Sequence, residues 1–239
     1  MSRVLVPMAV LEGESVPLGL MNLLGTMDVT VLGYHLLPEQ TPPDQARLQY
    51  EDRANEALED VAEEFRQAGG DADYRLVFTH DRQQTISRVA DEIGAPAYAI
   101  LGATGEVDRL LVSIGGLVGT DVVLDFVEEL IGDRDIGVTL FLAVGEDGEA
   151  VARDRLDTAA SELQATGIDV KTHLADQGAP FDALIDAVAN HDAIVMGEQA
   201  PTLRSVLFGD ESQRIAAESV GPVLVVRRQR VEDQMDETS

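Results

Sequence analysis

Two histidine–carboxylate pairs, His80-Asp81 and His191-Asp192, are the residue types in this chain that most directly suggest chemistry. An imidazole titrates near neutrality, so a His beside an Asp can act as a general base or share a divalent metal. Both pairs fall at predicted element ends, where polar residues commonly terminate strands and helices. They are also not equivalent: one follows a strand and the other precedes one. The reading is structural, with no catalytic residue and no metal ligand. Lys171, in Val170-Lys171-Thr172, is the sole lysine, so the Gly-Lys-Ser/Thr of a P-loop is absent. No Gly-x-Ser-x-Gly nucleophile elbow occurs. With no cysteine, disulfides and thiolate metal sites are excluded. Acidic pairs such as Glu59-Asp60 and Glu63-Glu64 read as solvated helix faces. Nothing here points to an enzyme.

The charge balance is lopsided, with 17 basic against 44 acidic residues and a net charge of −27. Such a field repels nucleic-acid phosphates and anionic lipid, so neither is an expected partner. The acids are spread along the helix faces, which disfavours a block-like acidic interaction segment and leaves a DNA mimic as the rarer alternative. The favoured reading is a halophilic protein kept soluble in molar salt, where the Debye length falls to about 3 Å and self-repulsion is screened. No basic-plus-apolar leader precedes the first strand. The apolar runs fall short of the roughly 20 residues a membrane span needs. A cytoplasmic protein is expected.

Strand and helix patterns alternate along the chain. Strands are predicted at 4–7, 29–37, 74–79 and 96–101. Helices come between them: one capped by Ser15 with an apolar stripe of Leu18, Met21 and Leu24, a long one from Thr41-Pro42-Pro43 to Gly69-Gly70, and one at 84–93. Apolar positions of the long helix are Leu48, Ala54, Leu58, Val61, Phe65 and Ala68. The same order then recurs. Strands are predicted at 110–114, 138–144, 170–174 and 193–196, and helices at 120–132 (capped by Thr120), 150–165 and 181–189. A helix at 211–218 and a strand at 222–227 follow without counterparts in the first copy. Alternation of this kind implies parallel sheets with right-handed crossovers. The expected architecture is α/β: two doubly wound parallel-sheet domains in tandem, at 1–107 and 108–230, with 231–239 a disordered acidic tail. The first domain lacks its fourth helix and fifth strand.

The Val6-Pro7 opening strand, the long second helix, the run Asp192-Ala-Ile-Val-Met-Gly197, Gly209 and the closing Pro222-Val-Leu-Val-Val-Arg227 together resemble the universal stress protein (UspA-like) family. The likeness is to its tandem, haloarchaeal type. This resemblance implies a Rossmann-like fold of the adenine-nucleotide alpha-hydrolase kind, and pairing of units through the last strand. It also implies, for many members, ATP binding by a Gly-x2-Gly-x9-Gly-Ser/Thr loop with an Asp on the first strand. Such a loop works because phosphates reach backbone N–H groups only where no Cβ intrudes, and a following helix N-terminus adds positive partial charge. The matching positions here are Gly197, Ala200, Arg204, Gly209 and Asp210. Ala200 replaces the middle glycine, the spacing to Gly209 is one short, and the Asp210 carboxylate stands where a hydroxyl belongs. The family Asp aligns with Gly115 in the second copy and Ala9 in the first. Gly102, Gly105 and Gly115 satisfy the glycine spacing, but a predicted buried strand lies between them, so the match reads as coincidence.

The resemblance therefore implies a non-enzymatic stress-response or regulatory protein with a degenerate nucleotide site. No firmly held cofactor is expected, and ATP or AMP only weakly; the alternative is an ATP- or AMP-binding sensor with a remodelled loop. An unidentified protein partner is expected to receive the signal. With no fifth strand in the first copy, Val223–Val226 would be an open apolar edge, which predicts a homodimer through that strand.

Overall fold

The computed structural model describes residues 2–116, 118–145, 147–176, 180–198 and 221–228. The first unit contains β1 (Arg3–Ala9), α1 (Leu18–Leu23), β2 (Asp28–Leu36), α2 (Pro43–Ala68), β3 (Ala72–Thr79), α3 (Arg82–Glu92) and β4 (Ala97–Ile100). The second contains β5 (Arg109–Ser113), α4 (Thr120–Ile131), β6 (Gly137–Ala143), α5 (Glu149–Ala165), β7 (Val170–Ala175), α6 (Pro180–Val188), β8 (Ala193–Gly197) and β9 (Val223–Val226). The expected helix at 211–218 and tail at 231–239 lie outside the described residues. No element separates β4 from β5, in keeping with a first unit that stops at its fourth strand.

The two units do not keep separate sheets. All nine strands form one sheet in the order β3-β2-β1-β4-β9-β8-β5-β6-β7. Within each unit the pairings are parallel, and the one antiparallel pairing, β4 with β9, joins the units. The two tandem units are thus joined edge to edge through β4 and β9. That junction also removes the premise of the predicted homodimer seam: β9 is paired on one edge with β8 and on the other with β4, so Val223–Val226 presents no free edge. The physical reason is local. A first unit without a fifth strand leaves β4 with unpaired backbone groups, and the last strand of the same chain satisfies them.

The strands read as doubly apolar because both sheet faces are covered. Leu110 and Val112 of β5 face one apolar cluster and Leu111 the other; in β9, Leu224 and Val226 face the first, Val223 and Val225 the second. Helices α1, α2, α4 and α5 cover the first face, and α3 and α6 the second. Each cluster runs through both units.

Three local expectations need correction. Pro17, not Ser15, precedes α1 and no side chain caps it; Leu18 is 69% exposed. Gly119 precedes α4, so Thr120 is its first residue and not its cap. Leu48 is 91% exposed. It lies six positions before Ala54, and at about 100° per residue that places it on the far side of α2.

Two arginines tie the units together. Arg134 donates from Nη1 to Asn22 O (2.7 Å) and from Nη2 to Leu23 O (2.8 Å), both at the end of α1. It also reaches Ile131 O from Nε (3.1 Å) and Leu130 O from Nη2, at the end of α4. Two helix C-termini converge on one guanidinium, which suits their negative partial charge. Burial nevertheless pushes the Arg134 guanidinium below its ordinary value. Arg227, just past β9, donates to Asp91 Oδ1 (2.6 Å) in α3, and its backbone N–H to Pro96 O (2.7 Å).

Because β9 is shared, the units should unfold together. Leu224→Ala removes a fully buried side chain at the seam and should cost about 3 kcal/mol in one cooperative transition. Urea titration followed by far-ultraviolet circular dichroism checks this; two separated transitions would contradict it. Arg134→Met should cost roughly 2 kcal/mol in the same assay, since several charge-assisted bonds are lost at once.

Candidate functional site

Doubly wound sheets bind ligands outside the carboxyl ends of their strands. In the second unit a cavity of about 330 Å3 opens at the ends of β5 and β6, beneath the start of α5. Gly115 and Gly116 line it after β5, and Val144, Asp147 and Gly148 line it between β6 and α5. Val151, Ala152 and Arg155 form its α5 wall, with Ser113 at its floor. Gly148, immediately before α5, has φ 87°, a left-handed conformation that a residue with a Cβ adopts only at a cost. The side chain of Arg155 reaches Thr120 Oγ1 (3.4 Å) at the start of α4 and Ile114 O (3.5 Å).

The corresponding place in the first unit carries a different residue. Helices α2 and α5 match when Leu58 is set on Leu156: Ala54 then meets Ala152, Ala62 meets Ala160 and Phe65 meets Leu163, all buried. On that register Tyr50 stands where the second unit has Gly148. Tyr50 packs with Leu11 against Leu37, Ala46 and Phe78, and its ring centroid lies 5.7 Å from that of His35. The loop after β1 also folds back, and the Glu14 carboxylate accepts from the Ala9 N–H. A packed tyrosine stands at one end and a glycine of positive φ at the other.

Of the loop residues singled out by sequence, Gly197 ends β8, beside β5. A Cβ there would lie 2.9 Å from Val118 Cβ, so the glycine allows the segment after β5 to pack on β8. Ala200, Arg204, Gly209 and Asp210 lie outside the described residues. Gly115, at the place of the family carboxylate, lines the cavity and brings no charge to it. Gly102 and Gly105 precede β5 and Gly115 follows it, so a buried strand of five residues, roughly 16 Å, separates them.

Both histidine–aspartate pairs have structural partners. His80 Nδ1 lies 3.2 Å from Leu37 O, and Asp81 caps α3 by accepting from Gln84 N–H at 2.9 Å. His191 bridges Ala187 O (2.6 Å) and Thr139 Oγ1 (2.8 Å). Asp192 Oδ2 accepts from the N–H groups of Asp108 (3.1 Å) and Arg109 (2.9 Å), holding the turn into β5. Among the described residues no His, Asp and Glu cluster is arranged to hold a metal ion.

Sequence reasoning missed Gly148, Val151, Ala152 and Arg155. The signal was present in Gly145-Glu-Asp-Gly148, a glycine-bounded turn between a predicted strand and helix. Its meaning emerges only when α5 is laid on α2.

A mostly parallel sheet wrapped by helices, with a cleft at its strand ends, defines a Rossmann-like α/β binding fold. The universal stress protein family model matches residues 106–227. The chain belongs to the universal stress protein family. Its fold is similar to that of a universal stress protein from Archaeoglobus fulgidus DSM 4304, at 19% identity and a TM-score of 0.66, covering 96% of this chain and 97% of that one. A functionally unknown protein from Pseudomonas aeruginosa PAO1 matches at 16% identity and a TM-score of 0.49, covering 94% of this chain and 92% of that one. No curated protein matches the sequence at a significant level.

The two ends make a paired prediction. Ala152→Leu grows into the cavity and should shift stability by less than about 1 kcal/mol, whereas Ala54→Leu, at the matched and fully buried position, should cost about 2 kcal/mol. Comparison of their urea midpoints checks this; equal penalties would contradict the difference between the two ends.

Proposed function

We propose that this chain is a regulatory stress-response protein that works by binding, with one weakened nucleotide-type site located in its second unit. The observation that carries this reading is the cavity at the ends of β5 and β6, bordered by Gly148 where the first unit has the packed Tyr50. The weakness rests on Gly115 in place of a carboxylate, and on Ala200 and Asp210 within a loop whose glycine spacing is one short. The polar side chains among the described residues lining the cavity are Ser113, Asp147 and Arg155, with no histidine to serve as general base, which favours binding over turnover. The first unit is read as a shortened copy of the second, contributing four strands. A net charge of −27 favours a protein rather than a nucleic acid as the receiver of the signal, and a cell interior rich in salt. No helix among the described residues is long and apolar enough to cross a membrane.

The cavity itself favours a second reading, an ATP or AMP sensor with a remodelled loop. Equilibrium dialysis with labelled ATP in 2 M KCl separates the two. The first reading expects no saturation below about 1 mM; saturation in the micromolar range favours the sensor. Steady release of phosphate would contradict both. Salt adaptation predicts that the thermal midpoint rises steadily from 0.2 to 3 M KCl, as screening relieves repulsion among the surface carboxylates. A flat or falling profile by circular dichroism would remove that part of the reading.

A further inference from the structure

Among the described residues, the arginines of this acidic chain mostly hold carboxylates. Arg3 pairs with Asp73, Arg75 and Arg88 with Glu92, and Arg66 with Glu59 and Glu63. Even Arg153, two positions away on α5, pairs with Glu149 at 2.7 Å. Arg155 departs from this pattern, as do Arg53, Arg82, Arg134 and Arg228, but among these only Arg155 lines the cavity. It is in no ion pair with a described residue, and its contacts are a neutral carbonyl and a hydroxyl at 3.4 to 3.5 Å, the outer limit of hydrogen bonding. It lines the cavity, and the contact with Thr120 sets its guanidinium beside the start of α4, where helix polarity also favours an anion. The matched position in the first unit is Ala57, which packs against the apolar core. An arginine in no ion pair with a described carboxylate thus lines the cavity.

We infer that Arg155 reads the acidic group of the ligand, and that the ligand is a small organic anion with a single acidic group: a ring or apolar body with one carboxylate or one phosphomonoester. This rests on the proposed location of the site. Val144, Val151 and Ala152 supply the apolar wall for the body. A volume of about 330 Å3 lies at the small end for ligand pockets and suits one ring system better than a polyphosphate chain. Asp147 at the same cavity opposes added negative charge, so a second or third phosphate brings repulsion rather than affinity.

Two matched pairs of probes test this by isothermal titration calorimetry in 2 M KCl: AMP against adenosine, and indole-3-acetate against indole-3-acetamide. At least one charged member should bind about tenfold tighter than its neutral partner, a typical worth for one charge-assisted contact, and the pair that responds identifies phosphomonoester or carboxylate. Arg155→Gln should erase that preference while leaving the neutral member unchanged, and ATP should bind no tighter than AMP. Arg155 is exposed, so the variant should keep the wild-type urea midpoint. No charged preference in the wild type, or a preference that survives Arg155→Gln, overturns the inference. Ala152→Leu tests the location separately: if binding persists undiminished when the cavity is filled, the proposed site itself is wrong, whatever Arg155 does.

Discussion

The pairing of β9 on both edges is the constraint from which the rest of the architecture follows. A four-residue strand takes parallel bonds from β8 and antiparallel bonds from β4, so the backbone groups of two units are satisfied by one segment. That single antiparallel junction sets the units head to tail. Their strand carboxyl ends therefore open at opposite edges of the sheet. It also brings α1 and α4 onto the same face, where Arg134 binds both helix ends.

Fusion relieves the two units of equivalence. In a symmetric pair of identical chains, any substitution that closes one site closes both. Here α2 is 26 residues long and α5 is 17, and the longer helix brings Ala46 and Tyr50 over one strand end. The shorter helix starts just after Gly148, where the chain turns with positive φ beside the cavity. One half of the fold is thereby free to specialise in packing and the other to keep a cavity.

The acidic surface acts at a different level. Its carboxylates lie along the outer faces of α2 and α5, where single ion pairs such as Arg47–Glu51 and Arg153–Glu149 contribute only about 0.5 kcal/mol each. The excess of acid over base does not specify the fold. It sets the sign of the field around the molecule, against which Arg155, in no ion pair with a described residue, is the one arginine among the described cavity-lining residues.

The sequence by itself determined the order of elements, the two-faced burial of the strands and the acidity of the helix faces. It did so because alternation and helical periodicity are local: Leu110, Leu111 and Val112 are apolar in succession whatever lies beside them. It also marked the histidine–aspartate pairs as element ends, since capping depends on near neighbours. Only the tertiary structure decided that β9 closes the sheet onto β4, and that Tyr50 packs on Leu37 and Phe78 where the second unit has Gly148 beside a cavity. Those outcomes depend on contacts between residues far apart in the chain, and no short window of sequence contains both partners.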